Sequence, residues 1–403
     1  MLSKEEINSL WPFYFYSFMR GVLFLTTITL FIFFTDKGLS YTQGAILVAF
    51  TSLIQVMFEL ITGSIADTFG RKRSVLISLF LDSIIIFLIA ITNSFWSLFA
   101  LFGLWGVSTT LASGSDKAWA IDSLIQTSKE KLLDQYYSKS RMFYNAGMII
   151  ASITSSAVLI YSDNQMLWFI RASFTLILAV ILFMFAKEKF IKPSQVSTIK
   201  ATLSTFNNAI SIFRNNSFIR ILSIASFFTF FAAYLAESVA IQDIKVQAGI
   251  PLEWWGILFL IATVLGLYTP RLGMNISKKF KNSKDYLVIC YSLLAVLYGI
   301  AVASLNIVFI AILVILYIII NDFYEPVEEK LYNEHTPSAQ RATVNSIKAM
   351  IENAGLLVGM LLSGLLVDNL GGALTISIAA IFVIPGVILI YRLPRKQDLP
   401  IIH

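Results

Sequence analysis

Apolar residues in this chain come neither every second position nor every third and fourth. They fill long runs, at roughly residues 12–35, 43–66, 74–91, 97–121, 140–160, 166–186, 217–242, 252–274, 285–303, 306–332, 342–366 and 372–392. A helix needs about 20 apolar residues to cross a bilayer, and each run approaches or exceeds that length. Inside lipid every backbone N–H and C=O must be satisfied within the segment, so runs of this kind fold as helices. The pattern predicts an all-α membrane protein with about twelve spans, the longer ones tilted.

The polar interruptions give the orientation. Arg71, Lys72 and Arg73, then Lys129, Lys131, Lys139 and Arg141, then Lys187, Lys189, Lys192, Lys200 and Arg214 fall in alternate segments. Lys278, Lys279, Lys281 and Lys284, then Arg341, then Arg392, Arg395 and Lys396 continue the series. The opposite loops hold little beyond Lys37 and Lys245. Lys and Arg accumulate in cytoplasmic loops, so both termini are expected inside, in the cytoplasmic (inner) membrane of a cell. The longest non-spanning stretch divides the chain into an N-terminal six-helix bundle (1–186), a linker (187–216) and a C-terminal six-helix bundle (217–403). Within the linker Ile199, Leu203, Phe206, Ile210 and Phe213 recur at helical spacing, with Ser197 as an N-cap. Such a helix lies at the membrane interface or packs on the bundle.

Composition agrees. Hydrophobic residues make up 57% of 403, charged residues 13%, and mean hydropathy is +0.77, well outside the range of soluble globules. The net charge of +6 resides in alternate loops, a topology signal rather than a nucleic-acid surface. One cysteine, Cys290, excludes an intramolecular disulfide and a thiolate cluster, and two histidines, His335 and His403, exclude a His-rich metal site. The first apolar run is too long for a cleavable signal. No phosphate-cradling Gly-rich loop or catalytic-triad spacing occurs, so neither an enzyme, an ATP-driven pump nor a bound cofactor is expected.

The stretch from Gly63 to Arg73 reads Gly-Ser-Ile-Ala-Asp-Thr-Phe-Gly-Arg-Lys-Arg and joins the second and third runs. Gly63 allows close helix approach, and Gly70 permits a sharp reversal. With Gly63, Asp67, Gly70, Arg71 and Lys72 in place, the pattern resembles the signature loop between helices 2 and 3 of the major facilitator superfamily of secondary transporters. The resemblance implies that these five residues latch the cytoplasmic side shut, the Asp on a neighbouring helix end and the Arg on nearby acids. Arg271 to Lys284 occupies the equivalent turn in the second half and keeps its cations and Gly273, but has no acid at the matching position.

Ionisable groups at membrane depth are costly, and they mark transport or proton pathways. Those here are Arg20, Glu59, Asp82, Asp116, Lys117, Asp122, Arg171, Glu237, Asp322, Glu325 and Glu352. Tyr16, Arg20, Phe24 and Thr27 fall on one stripe of the first span. Arg20 either stacks on a ring and holds an anionic group or pairs with an acid on a neighbouring helix. Tyr234 and Glu237 follow the aromatic run Phe227, Phe228, Phe230 and Phe231, a wall suited to lipophilic cations. Asp322, Glu325 and Glu329 share a face beside Pro326. The candidate substrate contacts are therefore Tyr16, Arg20, Phe24, Tyr234, Glu237 and Asp322. The candidate proton carriers are Asp116, Glu237, Asp322, Glu325 and Glu352. Gly355, Gly359 and Gly364 permit close helix packing.

Ser113-Gly-Ser-Asp-Lys-Ala-Trp-Ala-Ile-Asp122 is similar to a stretch in bacterial drug exporters of the macrolide and tetracycline type. Asp116 and Asp122 have Lys117, Arg141 or Arg20 as prospective partners. Two departures stand against that subtype: Phe102 occupies the span 4 position where proton-coupled exporters often carry Arg, and the fifth span lacks a Gly-Pro pair. The expected function is secondary active transport by alternating access, with proton-coupled export of lipophilic or amphiphilic small molecules. The alternative cargo is a polar or anionic metabolite or a metal chelate. The expected partners are a small-molecule substrate, protons and the lipid bilayer, with no nucleic acid, and the chain is expected to be a monomer.

Overall fold

The structure is a computed structural model, and it describes residues 3–188, 213, 216–336 and 341–393. The amphipathic helix that the stripe from Ile199 to Phe213 predicts lies almost wholly outside the described residues.

The helices run α1 Lys4–Val22, α2 Leu30–Asp36, α3 Tyr41–Phe69, α4 Arg71–Ile91, α5 Phe95–Ala112, α6 Ser115–Gln126, α7 Leu133–Tyr161 and α8 Asn164–Phe185. After the linker come α9 Ser217–Leu235, α10 Ile241–Gln247, α11 Leu252–Leu265, α12 Thr269–Ser277, α13 Ser283–Gly299, α14 Ile307–Glu334, α15 Arg341–Leu370 and α16 Gly372–Tyr391. Local sequence sets many of the starts. Ser3 and Glu6 form a capping box at α1. Asp163 accepts from Met166 N at 3.0 Å, Asn216 from Ile219 N at 3.1 Å and Asn306 from Val308 N at 2.9 Å, each satisfying a donor that the helix leaves open. Gly70 and Gly114 take φ of +105° and +71°, a region a side chain disfavours, and each starts a new helix.

Among the described residues ten helical stretches are individually long and apolar enough to cross a membrane. Two more are bent pairs, Lys4–Thr26 with Leu30–Asp36 and Leu252–Leu265 with Thr269–Ser277, each turned by 43°; with each pair as one span the total is twelve. The stretch from Arg271, read from sequence as a turn, is helical as far as Ser277, because Pro270, second residue of the helix, presets the backbone angle and gives up only an N–H that the first turn leaves unpaired.

The described residues group into two compact units. The first comprises those of Met1–Leu39, Ile46–Val196 and Pro251–Thr263. There α1 and α7 meet through glycines: a Cβ on Gly21 would lie 2.1 Å from Tyr144 O, and one on Gly147 2.0 Å from Phe18 O. Gly256 of α11 likewise abuts Ser152 O. Aromatic residues fill the core, with Phe13 edge-on to Trp119 at 5.1 Å and Phe33 stacked on Trp168 at 4.4 Å. Glu6 is 2% exposed and is answered by Lys139 Nζ at 2.7 Å and Tyr14 Oη at 2.8 Å, as a buried charge requires.

The second unit comprises the described residues of Ser40–Ala45, Ser197–Ile250 and Val264–His403. Gly355 and Gly359 bring α15 onto α9, where added Cβ atoms would meet Phe227 O at 2.7 Å and Phe231 O at 2.4 Å. Small residues allow such approach where lipid offers no hydrophobic gain. Gly273 of α12 does the same against Phe323 of α14.

Candidate functional site

Each unit carries an open cavity lined by polar and aromatic side chains. The cavity of the first unit measures about 550 Å³. The α1 stripe lines it: Tyr16, Arg20, Phe24 and Thr27 all face in. Arg20 Nη1 sits 2.9 Å from Asp116 Oδ2, and its guanidinium lies 5.9 Å from the Tyr16 ring centre. Asp116 reaches it because the chain turns at Gly114 and restarts as α6. Its other oxygen accepts from Lys117 N at 2.7 Å. Phe24 stacks on Phe259 at 5.2 Å. Gln55 donates to Thr109 at 2.8 Å, and Ser113 donates to Glu59 at 3.1 Å. Asp82 of α4 and Arg171 of α8 also line the cavity, the guanidinium 4.8 Å from the Trp105 ring.

The cavity of the second unit measures about 590 Å³. Among the described residues Glu237, Glu325, Glu328, Glu329 and Glu352 face it, with one cation, Lys348, and Phe230, Tyr234, Tyr324 and Tyr332. Glu237 accepts from Tyr298 Oη at 2.6 Å and from Asn321 Nδ2 at 3.0 Å on both oxygens. It sits in a π-helical turn, Ala236–Ala240, a wide-turn insertion often found at functional positions. Glu328 is 2% exposed and accepts from Tyr291 Oη at 2.5 Å and from Ser226. Lys348 Nζ lies 2.7 Å from Glu352 and 3.6 Å from Glu328. Glu325 also faces the cavity. Asp322 is placed elsewhere. It is not among the lining residues and accepts a hydrogen bond from Thr269.

The loop residues behave unequally. Arg71 pairs with Asp122 at 2.7 Å. Arg71 N and Lys72 N donate to Glu188 Oε1 at 2.8 and 3.1 Å, and Lys72 Nζ donates to Ala186 O at 2.6 Å. Two helix ends are thus closed by opposite charges, an acid at the N-terminus of α4 and an ammonium at the C-terminus of α8. Gly63 does not fulfil its expected part: among the described residues a Cβ there would meet nothing within 4 Å, so no close helix approach is made at that point. The Asp67 side chain lies outside the described residues.

Sequence reading missed Lys348, Tyr298 and Glu188. The four-residue step from Lys348 to Glu352 was a usable signal; Tyr298 and Glu188 carried none, since their partners are distant in sequence. Among the described residues no cluster of three or more His, Cys, Asp or Glu is placed to hold a metal ion.

A family model described as Major Facilitator Superfamily matches residues 10–327. A protein of Bacillus subtilis (strain 168), the uncharacterized MFS-type transporter YxaM, is 22% identical over 400 residues, 96% of each chain. Among solved structures, the nucleoside transporter NupG is 17% identical with a TM-score of 0.75, covering 94% of this chain and 97% of that one. A bacterial homolog of the human lysosomal transporter Spinster is 12% identical with a TM-score of 0.76, covering 98% of both chains. A D-xylose-proton symporter is 14% identical with a TM-score of 0.71, covering 97% and 99%. At these identities the solved structures establish the fold.

Proposed function

The chain belongs to the Major Facilitator Superfamily, a superfamily of transporters and not of enzymes, and we propose that it is a secondary active transporter that couples protons to the movement of a small amphiphilic molecule bearing a cationic group. It would work by alternating access from the cytoplasmic membrane, with both termini inside. The observation that carries this reading is the second unit's cavity: five glutamates against one lysine, among tyrosines. Acid groups at this depth are tolerated where they serve a pathway, and aromatic faces favour organic cations. Glu237, Glu325 and Glu352 are the proton carriers. Gain or loss of a proton there shifts the balance between inward-open and outward-open states by changing which state the cavity charge favours. Asp116, held by Arg20, and Asp322, outside the cavity, are assigned lesser parts.

The test is ethidium movement in proteoliposomes under an imposed pH gradient, with protein-free vesicles as the control. The wild-type protein moves ethidium only when the gradient is present, and Glu237→Gln removes most of the gradient-driven component. Movement against the inward proton flow marks export, and movement with it marks import. Transport indifferent to the gradient contradicts proton coupling.

A second reading, transport of a polar or anionic metabolite or a metal chelate, is favoured by Arg20, Lys117 and Arg171 in the first unit's cavity. Under it Arg20→Ala abolishes binding of anionic ligands and spares cationic ones, measured by calorimetry on the purified chain.

A further inference from the structure

Asp82 and Arg171 stand on adjacent helices, α4 and α8, and line the same cavity. They are within electrostatic reach of each other. No ion pair joins them, although opposite charges in a low-dielectric interior attract strongly. Each is also poorly supplied with neutral partners. Arg171 gives one hydrogen bond, from Nη1 to Thr26, and its Nε is buried with no partner. Asp82 Oδ1 is likewise buried with no partner. Ser108 is within hydrogen-bonding reach of the Asp82 carboxyl, but its hydroxyl is shared with Ser78 O, to which it donates at 3.1 Å. The rings of Trp105 and Trp168 lie 4.8 and 5.9 Å from the guanidinium centre, contacts that favour the cation without pairing it with an acid. The other charges of the cavity balance: Arg20 is paired with Asp116, while Lys117 and Glu59 cancel in formal charge. What remains among the described residues is one guanidinium and one carboxyl group, each with a buried polar atom short of a partner, at the wall of a space of about 550 Å³ that also presents the rings of Tyr16, Trp105 and Tyr144.

We infer that Asp82 and Arg171 form a recognition site for a zwitterionic head group, in which an ammonium sits against Asp82 and a carboxylate against Arg171. A group of that kind satisfies both side chains at once and leaves the cavity electrically neutral. A lone cation leaves Arg171 unanswered, and a lone anion leaves Asp82 unanswered, each at the penalty of a buried unpaired charge. The guanidinium suits a carboxylate because its planar fork matches two oxygens, and the rings receive an apolar or aromatic remainder of the molecule. This site lies in the first unit's cavity. It presumes a transporter that binds a small molecule but not one that is proton-coupled.

The experiment is equilibrium binding by calorimetry on the purified full-length chain at one pH, with three probes on one scaffold: phenylalanine (zwitterion), phenylalaninamide (cation) and N-acetylphenylalanine (anion). The zwitterion binds about ten- to hundredfold more tightly than either relative, the range expected when one charged hydrogen-bonded contact is lost. Arg171→Gln lowers phenylalanine to the level of phenylalaninamide and leaves the amide within about twofold. Asp82→Asn lowers phenylalanine to the level of the N-acetyl compound and leaves that compound unchanged. Arg171→Lys, which keeps the charge, serves if the glutamine variant does not fold, and it retains the preference for the zwitterion. The inference is overturned if either singly charged probe binds as well as phenylalanine, if none of the three binds, or if the variants weaken all three probes equally. Binding that follows the predicted order while ethidium transport ignores the pH gradient leaves this site standing and removes the proton-coupling proposal alone.

Discussion

At the scale of single residues, the acids were legible and their partners were not. Any carboxylate inside an apolar run is conspicuous because lipid penalises it, and Glu237, Glu325 and Glu352 stood out on that ground before any coordinates. The partners of Glu237, Tyr298 and Asn321, lie far away in sequence, whereas Lys348 lies one helical turn from Glu352; a single sequence fixes each helix without fixing its rotation. Asp322 shows the consequence: it shares a helix face with Glu325 by spacing, yet it turns to Thr269. Two predictions belong here. Lys348 compensates two acids of low exposure, at 3% and 14% of the side-chain surface. Lys348→Met should cost toward the lower end of about 3–5 kcal/mol, because Glu328 keeps Ser226 and Tyr291. Thermal unfolding in detergent reads this as a clear drop in Tm that Glu352→Gln partly restores; an unchanged Tm would refute the pairing. Glu188→Gln removes the charge at the N-terminus of α4 and should cost about 0.5–2 kcal/mol, visible as a small fall in Tm that shrinks at high salt.

Among the elements, length and polarity gave the helices, but the breaks inside them were mostly hidden. The bilayer requires about 20 apolar residues and says nothing about straightness. The first span is interrupted after Leu23–Thr26, where the backbone tightens to 3₁₀, in a Thr-rich stretch whose Thr26 and Thr29 hydroxyls take part in side-chain hydrogen bonds. The eighth is interrupted before Pro270, which was visible in sequence but unused. The π-helical turn carrying Glu237 had no composition signal. Helix contacts through glycine were partly legible: Gly355 and Gly359 pack as their spacing suggested, whereas a Cβ on Gly63 would meet nothing within 4 Å among the described residues, since what matters is the backbone that happens to face each glycine. These differences are measurable. Gly147→Val places its Cβ against Phe18 O, where the spacing is 2.0 Å, and should destabilise the fold by at least about 1–3 kcal/mol. Gly63→Ala, which meets nothing within 4 Å, should melt with the wild type. Equal melting of the two variants would show that the α1–α7 contact is not tight.

For the molecule as a whole, the fold was the most legible feature, since a solvent that forbids unsatisfied backbone leaves helices as nearly the only choice for these runs. The Gly63–Arg73 loop then pointed to one superfamily. Cargo was the least legible, because it depends on which side chains converge, and those came from seven helices in the first unit and from three helices and a π-helical turn in the second. The central claim is that the ionisable residues border water-filled cavities opened to each side of the membrane in turn. Its most direct test uses the single cysteine, Cys290, replaced by Ser, with Thr109→Cys or Tyr234→Cys introduced as the reporter in the first or second cavity. A membrane-impermeant thiol reagent is applied to sealed, oriented vesicles from one face and then from the other. The account predicts that each reporter is labelled from both faces, at rates that shift in opposite directions when cargo is added. Labelling from one face alone under every condition, or from neither, would contradict it.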